Sequence, residues 1–288
     1  MIGLAALSSP FEPEVLAPGV AWMRASGYEV VEPAGLGARA GYLAGDDAHR
    51  LAILEALDRD PRIDAVWCVR GGYGLHRLLP EIAARGLLGA SDKLLVGFSD
   101  VAALAMHLLG CGVRSAHAPL ANTVARVAGA EAAHLRRVLA GDAAGARVVA
   151  RGPVVRGGRA EGFLAGGCVS ILQPLVGTPY LPSLRGAILV IEEIDERPYR
   201  VDRMLTQLLL AGILQSAAAI AVGDFVKCEP ATPGGPTALE VVAERTRDLG
   251  IPVLAGFPIG HGPENWAFPV GGRARLDADA GELVFLDG

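Results

Sequence analysis

The chain has 288 residues, of which 51% are hydrophobic and 20% are charged, a balance typical of a globular protein and not of a disordered or coiled-coil chain. Its net charge of -5 and the lack of a basic run argue against a nucleic-acid surface, so we expect a small molecule or small peptide as partner. No signal-peptide pattern opens the sequence, and Gly212, Gln215 and Ser216 interrupt the apolar run 208–222. We therefore expect a cytoplasmic protein without a membrane span.

The sequence predicts no metal and no cofactor. No set of His, Cys and carboxylate residues has ligand spacing, and no CxxC motif is present. The four cysteines stand far apart, and we expect them to be reduced, buried small residues; they are Cys68, Cys111, Cys168 and Cys228.

The first 120 residues alternate short apolar runs with amphipathic runs, which predicts strands alternating with helices. The clearest segments are 63–70, 75–88, 93–98 and 100–110. This spacing is typical of βαβ units with a parallel sheet. We predict an α/β fold whose N-terminal domain, residues 1–140, is a Rossmann-like parallel sheet with its site beyond the strand C-termini.

A Gly-, Ala- and Arg-rich stretch at 141–160 interrupts this alternation and predicts a linker. Beyond it, residues 161–288 are expected to form a smaller, mixed α/β C-terminal domain. Its predicted elements are a strand at 188–193, a helix at 199–212, a strand at 218–225, a helix at 238–250 and a closing hairpin at 274–286.

At Gly97-Phe98-Ser99-Asp100 an apolar run ends and an amphipathic run begins at once. This pattern is typical of a nucleophile elbow, whose tight strand-to-helix turn exposes a serine and aims the following N–H at an oxyanion. The fifth position is Val101, where the familiar hydrolase pentapeptide has Gly. Ser99 is the candidate nucleophile, and the alternative is that it only caps the following helix.

A second Gly-rich turn, Arg70-Gly71-Gly72-Tyr73-Gly74, follows another predicted strand. It lacks the Walker lysine and the GxGxxG spacing, so it does not match a phosphate loop. Glycines let a backbone N–H approach a reacting carbonyl, so the turn fits an oxyanion-hole loop. A plain tight turn is the alternative.

A serine nucleophile needs a histidine or lysine base. Lys93 opens the predicted strand that Ser99 closes, about 20 Å away at about 3.3 Å per residue, which excludes it. Lys227 follows a strand end, but nothing in the sequence marks it as a base.

His261 is the favoured base among the histidines. Gly260 and Gly262 flank it in a loop just after a strand, where backbone freedom lets an imidazole reach a sheet edge. His76 and His117 follow turn segments and stay possible.

The third member of such a site is a carboxylate that accepts the imidazole N–H. Glu192 and Glu193 end the apolar strand 188–193, so one of them is expected to project at its carboxyl edge. Asp195, Glu196 and Asp202 are nearby alternatives.

Taken together, these segments resemble the LD-carboxypeptidase family of serine peptidases, which also contains the microcin C self-immunity peptidases. The resemblance spans nearly the whole chain, and several motifs in one order are more specific than any one of them. The motifs are SSP (8–10), YLAGDDAHR (42–50), VRGGYGLHRLL (69–79), GFSD (97–100), IEEIDERPYRVDRMLTQL (191–208), GDF (223–225) and GFPIGHG (256–262).

The resemblance implies two domains, a Ser-His-Glu triad in the cleft between them, no metal and a homodimer. It maps the nucleophile to Ser99, the base to His261 and the carboxylate to Glu192. It maps the oxyanion donors to the backbone N–H groups of Gly72 and Asp100.

The resemblance also implies hydrolysis of the LD peptide bond that releases terminal D-Ala from a cytoplasmic murein tetrapeptide. Arg70, Gly71 and Tyr73 are the predicted substrate-binding residues, with the Arg70 guanidinium facing the terminal carboxylate. Two segments depart from the family pattern and bear on the substrate more than on the mechanism: Gly166-Gly167-Cys168-Val169 and His117-Ala118-Pro119.

Two alternatives remain open. One is a self-immunity peptidase that cleaves peptidyl- or aminoacyl-adenylate analogues, for which Trp266 is a stacking candidate. The other is a non-catalytic small-molecule binding module, because a fold alone does not fix a function.

Overall fold

The computed structural model describes residues 1–287, which cluster into two compact units, Met1–Ala133 and a second that begins at His134. The strands of the first unit are β1 (Ile2–Ala5), β2 (Val30–Val31), β3 (Ala65–Cys68), β4 (Leu94–Gly97) and β5 (Ser115–His117). Its helices are α1 (Pro13–Ala25), α2 (Asp47–Arg59), α3 (Leu75–Arg85) and α4 (Val101–Gly110), with a 3-10 turn at Val124–Arg126. Helix α5 (Gly129–Ala140) runs from the first unit into the second.

The five strands of the first unit pair in parallel in the order β5-β4-β3-β1-β2. This is a doubly wound order, so the predicted parallel-sheet domain is confirmed. The chain reverses its direction across the sheet between β1 and β3, and ligands of such sheets bind where the carboxyl ends of the strands meet that point. The segments after β1, β3 and β4 are therefore expected to share one edge.

Helix α3 shows how the local sequence builds these layers. Its buried residues, Leu75, Leu78, Leu79 and Ile82, recur at the i, i+3, i+4, i+7 spacing of one helix face. The helix ends at Gly86, whose φ of 64° gives the left-handed cap that glycine adopts without strain.

The second unit has the strands β6 (Arg147–Val149), β7 (Val154–Arg156), β8 (Arg159–Cys168), β9 (Ala187–Ile194), β10 (Ala219–Val226), β11 (Val253–Ala255), β12 (Phe268–Val270), β13 (Arg273–Asp277) and β14 (Glu282–Phe285). Its helices are α6 (Val169–Leu172), α7 (Pro198–Leu210), α8 (Ile213–Ser216) and α9 (Ala238–Thr246), with a 3-10 turn at Gln173–Leu175. Strands β8 to β11 are parallel, and β13 and β14 form the predicted antiparallel hairpin.

Within residues 1–287, eight of these strands form one sheet in the order β6-β14-β13-β8-β9-β10-β11-β7. A flat sheet of this size would separate its two edges by about 34 Å at about 4.8 Å per strand. Only residues 150–153 separate the two edge strands, and the five steps from Val149 to Val154 span at most about 18 Å. The sheet must therefore curl until its edges approach each other.

The segment 141–160, predicted to be a linker, supplies both edges of this sheet. Its two pairs of consecutive valines lie in β6, which pairs with β14, and in β7, which pairs with β11. The second unit consequently begins near His134 and is the longer of the two, whereas the sequence predicted a smaller C-terminal domain.

One cysteine differs from its predicted environment. Cys68, Cys168 and Cys228 are buried, whereas Cys111 is exposed because it follows the C-terminal end of α4. No helix in the described part of the chain combines the length and the apolar character needed to cross a membrane.

Candidate active site

Ser99 occupies a strained turn between β4 and α4. Its φ is 62°, a left-handed conformation that costs a residue with a side chain about 1–3 kcal/mol and is often found at functional sites. The residue is partly exposed, although its neighbours Phe98 and Asp100 are buried. The alternative that Ser99 caps the helix is wrong, since Asp100 is the N-cap residue and no side chain closes this helix start. The local geometry is that of the predicted elbow.

The side chain of Asp100 ties this turn to the neighbouring strand ends. It is fully buried, and one oxygen accepts hydrogen bonds from the Ser8 hydroxyl at 2.6 Å and the Leu75 N–H at 2.9 Å. Asp100 therefore caps the adjacent helix α3 and also holds the segment after β1. Sequence reasoning missed this role because its partners lie 92 and 25 residues away.

The Gly71-Gly72 backbone packs directly beside Ser99. A Cβ added to Gly71 would lie 2.8 Å from Ser99 Cβ and 2.9 Å from Ser99 Oγ. Gly72 has a φ of 103° and faces Ser9 in the same way. The N–H groups of Gly72 and Asp100 donate to no other group within residues 1–287. Gly71 thus allows the loop backbone to pack against Ser99, and the oxyanion role of the Gly72 and Asp100 N–H groups stays a prediction.

The remaining predicted substrate-binding residues lie on the same loop. Arg70 is exposed and donates from Nη1 to the Pro10 carbonyl at 2.6 Å. The Tyr73 ring is also exposed and lies 5.9 Å, centre to centre, from the ring of Tyr42. Their contacts with a substrate stay predictions.

In the second unit, His261 and Glu192 form a hydrogen-bonded pair. The distance from His261 Nδ1 to Glu192 Oε2 is 2.6 Å, and the Glu192 side chain is fully buried. Burial raises the pKa of Glu192, while His261 opposes that rise, and Glu193 and Asp224 add to it. A carboxylate partner on Nδ1 favours the tautomer with its proton there, and in that tautomer Nε2 is the unprotonated nitrogen that can accept a proton. This is the arrangement of an oriented general base.

Glu193 faces the other side of β9, as strand alternation requires. Its carboxylate accepts hydrogen bonds from the Ser170 N–H at 2.7 Å, the Ser170 hydroxyl at 3.1 Å, the Cys168 thiol at 3.1 Å and the Ile194 N–H at 2.9 Å. Glu193 therefore anchors the start of α6, and it is Glu192 that contacts the imidazole.

The loop that carries His261 packs closely against Glu192. Gly260 has a φ of 119°, and a Cβ there would lie 2.8 Å from Glu192 Cβ. The Gly260 N–H donates to Asn265 Oδ1 at 2.9 Å, and the backbone N–H of Trp266 donates to the Pro258 carbonyl at 2.9 Å. The glycine allows the approach, and the two hydrogen bonds fix the loop around it.

Strand β10 contains a β-bulge opposite Glu192. The pairing advances by three residues on β10, from Val222 to Phe225, while it advances by two on β9. The extra residue lies at Gly223-Asp224, and bulges beside functional sites commonly redirect a side chain. The segment is the GDF motif at 223–225, in which the sequence pattern alone assigns Asp224 no role.

The other candidate bases and carboxylates have different partners. Lys93 Nζ donates to the Asp60 carbonyl at 3.0 Å, and exposed Lys227 lies 3.9 Å from Asp195. Asp202 lies 3.2 Å from Arg245. His76 lies 3.8 Å from Asp100, and Glu196 forms an ion pair with Arg200. His117 is buried at the end of β5, and its ring lies 5.5 Å from that of Phe98.

No group of three or more His, Cys, Asp or Glu side chains in the described part of the chain is arranged to hold a metal ion.

Comparisons with known proteins agree with this architecture. The family model described as LD-carboxypeptidase N-terminal domain matches residues 2–118, and that described as LD-carboxypeptidase C-terminal domain matches residues 161–276. A protein of Synechocystis sp. is 40% identical over 277 residues, which cover 94% of this chain and 89% of that protein. The murein tetrapeptide carboxypeptidase of Pseudomonas aeruginosa is 34% identical, over 84% of this chain and 81% of that protein.

Solved structures show the same fold. The muramoyltetrapeptide carboxypeptidase from Oxalobacter formigenes superposes with a TM-score of 0.88 at 30% identity, covering 100% of this chain and 98% of that one. The microcin C7 self immunity protein MccF gives a TM-score of 0.86 at 20% identity, over 100% and 96% of the two chains, and shares the fold. The chain belongs to the LD-carboxypeptidase family of peptidases.

Proposed function

We propose that this protein is a serine carboxypeptidase that hydrolyses an LD peptide bond and releases terminal D-Ala from murein tetrapeptide. The observation that carries the proposal is the hydrogen bond of 2.6 Å between His261 Nδ1 and the buried Glu192. The strained Ser99 turn supports it. The substrate class follows the relatives that act on murein tetrapeptide and muramoyltetrapeptide.

In this mechanism His261 Nε2 takes the proton of the Ser99 hydroxyl, and Oγ attacks the carbonyl carbon of the L-configured residue. The N–H groups of Gly72 and Asp100 stabilise the resulting oxyanion. The imidazolium then donates its proton to the departing amine of D-Ala, which leaves an acyl-enzyme. His261 next deprotonates a water molecule, whose oxygen attacks the ester, and returns that proton to Ser99 as the serine departs.

Glu192 acts through the imidazole. Its carboxylate accepts the Nδ1 proton, holds the ring in the useful tautomer and stabilises the imidazolium that forms during each transfer. Since the carboxylate is fully buried, water does not screen this interaction as it would at the surface.

Substrate binding is assigned to the loop after β3. Arg70 is exposed and has guanidinium N–H groups beyond the one bound to Pro10, which makes it our choice for the D-Ala carboxylate. Gly71 provides backbone beside Ser99, and the exposed ring of Tyr73 provides an apolar surface for the peptide.

The test is incubation of the purified protein with murein tetrapeptide, with mass spectrometry for tripeptide and free D-Ala. We expect release by the wild type, none above background by Ser99→Ala or His261→Ala, and none from the tetrapeptide that ends in L-Ala. Release of D-Ala by Ser99→Ala at the wild-type rate would contradict the serine mechanism. Cleavage of a nucleotide-linked peptide without cleavage of the tetrapeptide would instead assign the self-immunity activity.

We further propose that the protein works in the cytoplasm, where peptides from murein turnover would reach it, and as a homodimer. Cell fractionation and light scattering of the purified protein test these two points. Recovery outside the cytoplasmic fraction, or a mass of one chain, would contradict them.

A further inference from the structure

The β-bulge in β10 presents a second carboxylate to the His261 loop. Asp224 is half-buried, and its own N–H donates to the Ile259 carbonyl at 2.9 Å, which ties the bulge to the loop. A Cβ added to Gly223 would lie 3.2 Å from Glu192 Cβ. The bulge therefore closely abuts the carboxylate that binds His261.

The Asp224 side chain reaches the residue that follows the imidazole. It accepts a hydrogen bond from the Gly262 N–H, and a Cβ at Gly262 would overlap Asp224 Oδ2. Asp224 thus holds the C-terminal side of His261, whereas Asn265 holds the N-terminal side through Gly260. The two anchors flank the imidazole along the chain.

Four charged or titratable groups surround Asp224. Glu264, Arg151, His261 and Glu192 all interact with it electrostatically, and Arg151 is paired with Glu264 at 2.5 Å. Burial first and Glu264 second raise the pKa of Asp224, while the Gly262 N–H, Arg151 and His261 oppose that rise. Asp224 is therefore partly withdrawn from solvent and placed to act as a hydrogen-bond acceptor for the loop.

We propose that Asp224 is a positioning residue that fixes the His261 turn through the Gly262 N–H. This inference deepens the proposed function and rests on it for the kinetic part of the test. Because an acceptor oxygen suffices for this role, Asp224→Asn should preserve it and Asp224→Ala should not.

The experiment compares Asp224→Ala with Asp224→Asn. We expect kcat of Asp224→Ala to fall about 10- to 100-fold with KM within about two-fold, because a displaced base loses its alignment. Asp224→Asn keeps an acceptor oxygen and should retain kcat within about three-fold.

Asp279→Ala is the matched control. Asp279 also accepts a glycine N–H, that of Gly158 at 3.1 Å, in a turn of the same unit that lies outside the His261 loop. Its removal should leave kcat unchanged. Equal losses in Asp224→Ala and Asp279→Ala would reduce Asp224 to an ordinary loop anchor and overturn the proposal, as would a wild-type kcat in Asp224→Ala.

A second variant tests the contact itself. Gly262→Ala should slow the enzyme because its Cβ displaces the Asp224 carboxylate, and in the Asp224→Ala background the same change should add little. Fully additive losses would contradict a direct contact.

A measurement without substrate separates this proposal from the proposed function. An NMR spectrum of the histidine ring signals, with the His261 signal identified by its loss in His261→Gln, reports the environment of the imidazole directly. We expect Asp224→Ala to shift or broaden the His261 signal, because the turn is no longer held, and Asp224→Asn to leave it near its wild-type position. An unchanged His261 signal in Asp224→Ala would refute the positioning role even if the wild type cleaved no tetrapeptide.

Discussion

Replacing each adjacent glutamate of β9 by glutamine should separate catalysis from stability. Glu192 and Glu193 are both fully buried, but one contacts His261 and the other the start of α6. The exchange removes one negative charge in each case and keeps the side-chain shape. Any difference between the two variants therefore comes from the partners of each carboxylate.

Glu192→Gln should lose activity and keep its stability. The amide cannot hold the imidazolium as a carboxylate does, so turnover should fall on the order of 10⁴-fold, which corresponds to about 5.4 kcal/mol. Because burial raises the pKa of Glu192 above its unfolded value, the native state loses stability as pH rises through that range. The variant lacks this penalty, so its free energy of unfolding at neutral pH should equal or exceed that of the wild type.

Glu193→Gln should show the opposite pattern. The Glu193 carboxylate accepts four hydrogen bonds, and each of its oxygens accepts at least one. A glutamine NH2 in place of either oxygen would face one of these donors and could not accept its hydrogen bond. The unsatisfied donor should lower the free energy of unfolding by about 1–3 kcal/mol. Turnover at a temperature where the variant stays folded should remain within a few-fold of the wild type.

The assay pairs the rate of D-Ala release with urea denaturation of the same preparations. Near-normal turnover in Glu192→Gln together with collapse in Glu193→Gln would show that the wrong glutamate has been assigned to the imidazole. If Glu192→Gln lowered the free energy of unfolding as much as Glu193→Gln, the inference that the buried Glu192 carboxylate destabilises the native state would be wrong.

Three further predictions address the surrounding structure. Gly71→Ala places a Cβ 2.9 Å from Ser99 Oγ, so kcat should fall at least about 10-fold while the unfolding midpoint changes little, and wild-type kcat would contradict the close packing. Prolonged dialysis against a chelator should leave D-Ala release unchanged, and loss of activity that zinc restores would overturn the metal-free mechanism. Thiol titration of the native protein should label Cys111 alone, because Cys68, Cys168 and Cys228 are buried. Burial also raises the pKa of Cys68 to about 12 and that of Cys228 to about 11, so their reactive thiolate forms are scarce. Fast labelling of the Cys111→Ser variant would contradict this prediction.

The sequence was sufficient for the features that depend on neighbours along the chain. The parallel sheet of the first unit follows from alternating apolar and amphipathic runs, and the turn at Ser99 follows from an apolar run that ends on Gly97 and gives way at once to a helix. The loop position of His261 follows from the glycines on either side. Each is encoded within about ten residues, so periodicity and glycine placement reveal it.

Long-range pairing decided the rest. The segment 141–160 carries the glycines of a linker, yet it forms both edges of the second sheet because β14 and β11 provide partners for its short strands. Asp100 at the start of α4 was expected to contribute only its N–H. Its side chain caps α3, because the doubly wound order brings that helix start beside it.

The choice between Glu192 and Glu193 shows the limit most directly. Alternation along β9 told us that the two side chains point to opposite faces, but only the resemblance favoured one of them. The face that receives His261 is set by a loop 69 residues further along the chain and by a β-bulge in the neighbouring strand. A bulge depends on how two strands pair, so it has no local period, and the position of Asp224 became visible only in the tertiary structure.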